Sequence, residues 1–161
     1  MTIQKFKGYS ELHGLTKGES LLHWMSEGYD LLLRYNTFIQ FLGYSDASNV
    51  EVYEGDVLEL KITEDLMNPE KCGFHNSNLG KAIKKLGNVT SVILAHPYKK
   101  NYMTMDYEVY FCLDGKIERD EDNNPSQSAY GTDANFPQYL VQYGAVVIGN
   151  LLENSNILAD M

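Results

Sequence analysis

The sequence predicts a mainly β fold, α+β at most, in which one amphipathic helix is inserted into an antiparallel core. Three observations carry this reading. Val57, Glu59 and Lys61 alternate with Leu58, Leu60 and Ile62, the two-residue period of a half-buried strand. Met103, Met105, Tyr107, Val109, Phe111 and Leu113 alternate in the same way with Thr104, Asp106, Glu108, Tyr110 and Cys112. Tyrosine dominates the aromatic residues, with 12 Tyr against 6 Phe and 1 Trp, and its ring suits pleated, half-buried surfaces.

Taken in order, Ile3, Lys5 and Lys7 alternate with Gln4, Phe6 and Gly8 as a short opening strand. Leu21, Leu22, Trp24 and Met25 form a cluster too brief to separate a helical turn from a buried strand. From Tyr29 to Leu42 the pattern reads as one or two strands that stop at Gly43. Tyr44 to Asn49 is turn chemistry, because Asp, Ser and Asn side chains bond nearby backbone groups. Tyr53-Glu54-Gly55-Asp56 is a second turn, where Gly55 permits positive φ and Asp56 can bond local backbone before the strand at 57–62.

The β pattern breaks near 76–87. Leu79, Ala82, Ile83 and Leu86 fall at i, i+3, i+4 and i+7, with Asn76 or Ser77 to cap and Gly87 to stop the helix. Its polar face carries Lys81, Lys84 and Lys85. A β-branched strand over 89–95 stops at His96-Pro97, and Asp114-Gly115 turns the long strand at 103–113 into a short return strand at 116–118. Residues 119–135 are polar and aperiodic, which predicts a mobile acidic loop. Beyond it, 139–141 and 145–148 read as strands split at Gly144. Ile148-Gly149-Asn150 is a strand end where Gly149 lets the chain turn, and Leu151, Leu152, Ile157 and Leu158 give the tail a docking turn.

A chain of 161 residues with no dividing linker or repeat is expected to form one domain. No apolar run is long enough to span a membrane, and the first residues lack the layout of an export signal, so the expected compartment is the cytoplasm. A net charge of −9 argues against general nucleic-acid affinity. The charge is segregated, however: six lysines and no acid lie between Lys71 and Met105, and seven acids face two basic residues from Asp106 to Asp122.

Cys72, His75, His96 and Cys112 are soft ligands, but without paired C-x-x-C and H-x3-H spacing they predict no zinc site. His13 and His23 read as packing or surface residues. No nucleophile elbow, P-loop or dinucleotide fingerprint is present, so no catalytic residue and no cofactor are assigned.

Two segments carry a resemblance. Residues 40–58 contain Tyr-Glu-Gly-Asp before a strand, and residues 147–158 contain Val-Ile-Gly-Asn, then Glu-Asn, then an aliphatic pair. Both are similar to the signature of the YopX-like family of phage proteins, and Lys5-Phe6-Lys7-Gly8-Tyr9 echoes the family's basic-aromatic opening. The turn at 44–49 departs from the family pattern, and residues 67–102 look like an insertion. The resemblance implies a phage or prophage origin, a small barrel-like β core, and no established enzyme activity or cofactor.

The expected function is therefore non-catalytic binding of a host or phage protein. Two surfaces are candidates: the lysine face of the inserted helix (Lys81, Lys84, Lys85) and the acidic run Asp120, Glu121 and Asp122. The second would suit an anti-defence inhibitor that imitates nucleic-acid phosphates on a host nuclease. A local nucleic-acid patch of Lys71, Lys81, Lys84, Lys85, Lys99 and Lys100 with Phe74, Tyr98 and Tyr102 is a third reading. Edge strands that must be covered or paired add homo-oligomerisation as a further expectation.

Overall fold

Two strongly curled antiparallel sheets, each a half-barrel, make up the architecture of this mainly β protein. The computed structural model describes residues 4–28, 33–71, 78–97, 107–128 and 136–161. The first sheet contains β1 (Lys5–Ser10), β2 (Gly14–Leu15), β3 (Glu19–Ser20), β4 (Thr37–Ser45) and β5 (Glu51–Tyr53). Strand β1 pairs with β2, β3 and β4, and β5 pairs with β4. The second sheet contains β6 (Asp56–Lys61), β7 (Val89–Ala95), β8 (Glu108–Leu113), β9 (Lys116–Ile117), β10 (Gln127–Ser128) and β11 (Val146–Asn150). Its order is β10-β8-β7-β6-β11, with β9 also on β8.

The two-residue period explains how the second sheet buries both faces. Leu58, Leu60, Val92, Leu94, Val109 and Phe111 point to one side and enter a core that also takes Val52 of β5. Val57, Ile93, Ala95, Tyr110 and Cys112 point to the other, where Ile117 and Ile157 cover them. Strands β7 and β8 are buried on both sides, which is why 89–95 reads as an unbroken apolar run. Asp114 and Gly115 have φ of 51° and 77°, the paired positive values of a type I′ hairpin turn.

Among the described residues, helices α1 (Leu21–Ser26), α2 (Glu64–Met67), α3 (Asn78–Leu86) and α4 (Phe136–Gln142) lie between strands. Ser20 resolves the ambiguous cluster at 21–25 in favour of helix, since its hydroxyl caps α1 by accepting from His23 N–H. The inserted helix is α3. Ile83 roots it in the first core, and Gly87 ends it with φ of 78° and an N–H bonded to the Ile83 carbonyl. The proposed caps Asn76 and Ser77 lie outside the described residues, as do Met103 and Met105.

Three expectations differ from the structure. The strand expected over 139–141 is part of α4: Phe136, Leu140 and Tyr139, Tyr143 repeat every four residues, and Pro137 sits early in the helix, where its missing N–H costs nothing. Strand β4 does not stop at Gly43 but continues to Ser45 through an irregular register, with Gly43 at φ of 89°. The segment expected to open a mobile loop at 119 instead forms a tight hairpin. Asp120 Oδ1 accepts from the N–H groups of Asp122 and Asn124, Arg119 bridges to Pro125, and β10 then pairs with β8. Side chain to backbone bonds replace apolar burial as the source of order there. Residues 129–135 lie outside the described residues.

Candidate functional site

The two segments that carry the family resemblance meet in space. The turn at Glu54-Gly55 passes the chain from β5 of the first sheet to β6 of the second, with Gly55 at φ of 82°. Asp56 Oδ2 accepts from Tyr53 N–H at 2.7 Å and closes the turn. Asn150 then donates its amide to the Glu54 carbonyl at 3.1 Å and to Asp56 Oδ1 at 2.8 Å, and accepts from Leu152 N–H at 2.9 Å. Glu54 Oε2 accepts from Gln40 N–H, tying the same turn to β4. Gly149 leaves room for Ile157, whose Cδ1 would stand 2.5 Å from an added Cβ, while Ile148 is partly exposed.

These residues therefore form a latch between the sheets. Burial pushes the Asp56 carboxyl upward in pKa, against the opposing pull of its bonds to Asn150 and Tyr53. Asp46, also buried, plays a similar part at the next turn. Its Oδ1 accepts from Ser48 and Val50 N–H and its Oδ2 from Val147 N–H, so the 44–49 turn is fastened to β11.

His96 and Cys112 do not converge. The His96 imidazole is buried against the Tyr44 hydroxyl, and burial holds its pKa down at about 4, so the ring is neutral at neutral pH. Cys112 pairs in register with Ser91, five residues before His96, which places it roughly 16 Å away along the ladder. Burial pushes its thiol up in pKa and away from thiolate reactivity. Cys72 and His75 lie outside the described residues, and no metal-holding group of His, Cys, Asp and Glu occurs among the described ones.

The two charged surfaces lie on opposite sides of the second sheet. Lys81, Lys84 and Lys85 are exposed on α3, which packs on the first core. The hairpin carrying Asp120, Glu121 and Asp122 is held to the tail over the second core, where Arg119 donates to the Leu158 and Ala159 carbonyls. Glu121 and Asp122 are exposed, whereas one oxygen of Asp120 is already committed to the turn.

Sequence reasoning missed a third surface, on α1. None of its residues is buried: Leu22 is 77% and Met25 70% exposed, and Leu12 and Leu33, in the segments before and after the helix, reach 85% and 75%. Beneath them lies a fixed aromatic seat. The Trp24 indole N–H donates to the Phe6 carbonyl at 3.0 Å, and its ring meets Tyr35 and Phe38 edge to face, with centroids 6.0 and 5.2 Å apart. His13 packs on Tyr35, which places the Leu12 turn at the same end of the sheet. The signal available in the sequence was the Leu21-Leu22 pair beside Met25, which has too few polar neighbours to place either face in water.

No family model, curated protein or solved structure matches the chain. No helix among the described residues is long and apolar enough to cross a membrane.

Proposed function

We propose that this is a phage- or prophage-encoded, YopX-like accessory protein that acts without catalysis, by binding a host or phage protein through α1 and its flanks. The observation that carries the binding reading is the exposure of Leu22 and Met25 on α1, and of Leu12 and Leu33 in the segments before and after it, none of which belongs to a core. Large aliphatic side chains left exposed at two neighbouring positions of one short helix suit an interaction site. The phage assignment draws on the resemblance of residues 40–58 and 147–158. The latch that joins those residues gives them a structural role and leaves the binding role to another surface.

Nucleic-acid mimicry is the weaker reading, because it needs a spread of free acids and the hairpin offers Glu121 and Asp122 beside a partly engaged Asp120. Affinity capture from infected host extract tests the choice. Wild type should retain a partner that the Leu22→Glu/Met25→Glu variant loses, while charge reversal at Lys81, Lys84 and Lys85 or neutralisation of Glu121 and Asp122 leaves it bound. Loss only in the lysine or acidic variant would move the function to that surface.

A further inference from the structure

Beside α1 lies a cleft of about 280 Å³ lined by Lys17, Glu19, His23, Trp24, Glu27 and Tyr35. We propose that this cleft receives an arginine side chain of the protein partner bound by α1 and its flanks. The inference rests on the protein-binding reading above and names the chemistry that the partner must present.

Size comes first. Clefts for drug-sized ligands run to roughly 300–1,000 Å³, so this one suits a single long side chain. Its walls then select the kind. Trp24 and Tyr35 stand at an interplanar angle of 80°, and both ring types attract a cation over their faces, Trp most strongly. Glu19 and Glu27 supply two carboxylates against the one ammonium of Lys17, with the Glu27 carboxylate 3.8 Å from the His23 imidazole. A guanidinium satisfies both kinds of wall, because it stacks on an aromatic ring and forks its N–H groups toward carboxylates; an ammonium is more strongly hydrated and does neither as well. The chain's net charge of −9 adds a long-range pull on a basic partner.

The seat is also rigid before anything binds. The indole N–H bond to Phe6 fixes Trp24, and Gly8 is what lets the rings lie on β1: a Cβ there would stand 2.9 Å from Tyr35 Cγ and 3.2 Å from Trp24 Cη2. Glu19 is held in β3 opposite Phe6, and the Glu27 N–H is bonded to the His23 carbonyl at the end of α1. The aromatic walls then need little ordering on binding.

Trp24 is the only tryptophan, so its fluorescence reports on this cleft alone. The full chain is titrated with acetyl-Leu-Arg-Leu-amide and with the same peptide carrying citrulline or lysine in place of arginine. The expected result is a saturable change with arginine, about tenfold weaker binding of the neutral citrulline isostere, and an intermediate lysine peptide. Glu19→Gln/Glu27→Gln should keep the starting spectrum and lose the response. No response to arginine up to about 10 mM, or equal binding of the citrulline or lysine peptide, overturns the proposal. A partner captured through Leu22 and Met25 without any arginine-peptide binding would refute the arginine site and leave the binding face standing. The reverse pattern would refute the binding face instead.

Discussion

The second sheet and the α1 flank of the first are built from similar aliphatic residues put to opposite use. In the second sheet, Leu58, Leu60, Val92 and Leu94 are fully enclosed, and the polar groups that must enter with them find partners through Asn150, Asp56 and Asp46. On α1, Leu22 and Met25 stand in water above an aromatic seat that is itself well fixed. Exposure on α1 is therefore not looseness of the whole region. The support is ordered and the outer layer is exposed, as the proposed binding surface requires.

The same substitution in both regions should give the largest contrast. Leu58→Ala removes a side chain from an enclosed site and should cost about 2–5 kcal/mol in denaturant unfolding, whereas Leu22→Ala should stay within about 0.5 kcal/mol of wild type. A loss at Leu22 comparable with that at Leu58 would dissolve the comparison. The latch comes next. Asn150→Ala strands the buried Asp56 carboxylate and two backbone groups, so it should cost roughly 3 kcal/mol. A double-mutant cycle with Asp56→Ala should show strong coupling, and simple additivity would mean that the two segments are not joined through this bond.

Acid sharpens the contrast further. His96 has a pKa of about 4 when folded against an ordinary 6.5, so between those values the unfolded chain holds a proton that the folded one does not. Its contribution is complete above about pH 6.5 and is lost as pH falls toward 4, a change of roughly 3 kcal/mol at most. Asp56 works the other way, because its raised pKa lets the folded state take a proton before the unfolded chain does. His96→Gln should flatten the fall in stability between pH 6.5 and 4, and an unchanged slope would place the acid sensitivity elsewhere. A smaller effect is expected at Gly8→Ala, where the new methyl group presses on Tyr35 and Trp24. About 1–2 kcal/mol and a shifted tryptophan emission spectrum are predicted, and an unaltered spectrum would mean that the seat is not packed on β1.

Much of this fold was legible in the sequence where one period ran unopposed. The faces of β6 and β8 follow from alternation, the Asp114-Gly115 turn from its dipeptide, and α3 from the spacing of Ile83 and its neighbours. Residues 139–141 misled because Tyr-Leu-Val has strong β propensity, and only the wider spacing from Phe136 to Tyr143 shows a helix. The 119–128 hairpin was obscure because its order comes from Asp120 and Arg119 bonding to backbone, which leaves no apolar pattern. As to the site, charge drew attention to Lys81, Lys84, Lys85 and Asp120, while the α1 surface stayed hidden. Exposed and buried leucines look alike in a sequence until the packing partners are known.

The most direct test of the binding face is the stability of Leu22→Glu/Met25→Glu. Two charges on a surface that the fold does not use should leave thermal and denaturant unfolding within about 0.5 kcal/mol of wild type while capture of the partner is lost. A destabilisation of several kcal/mol would show that the chain itself covers these side chains, and the proposed binding face would not exist.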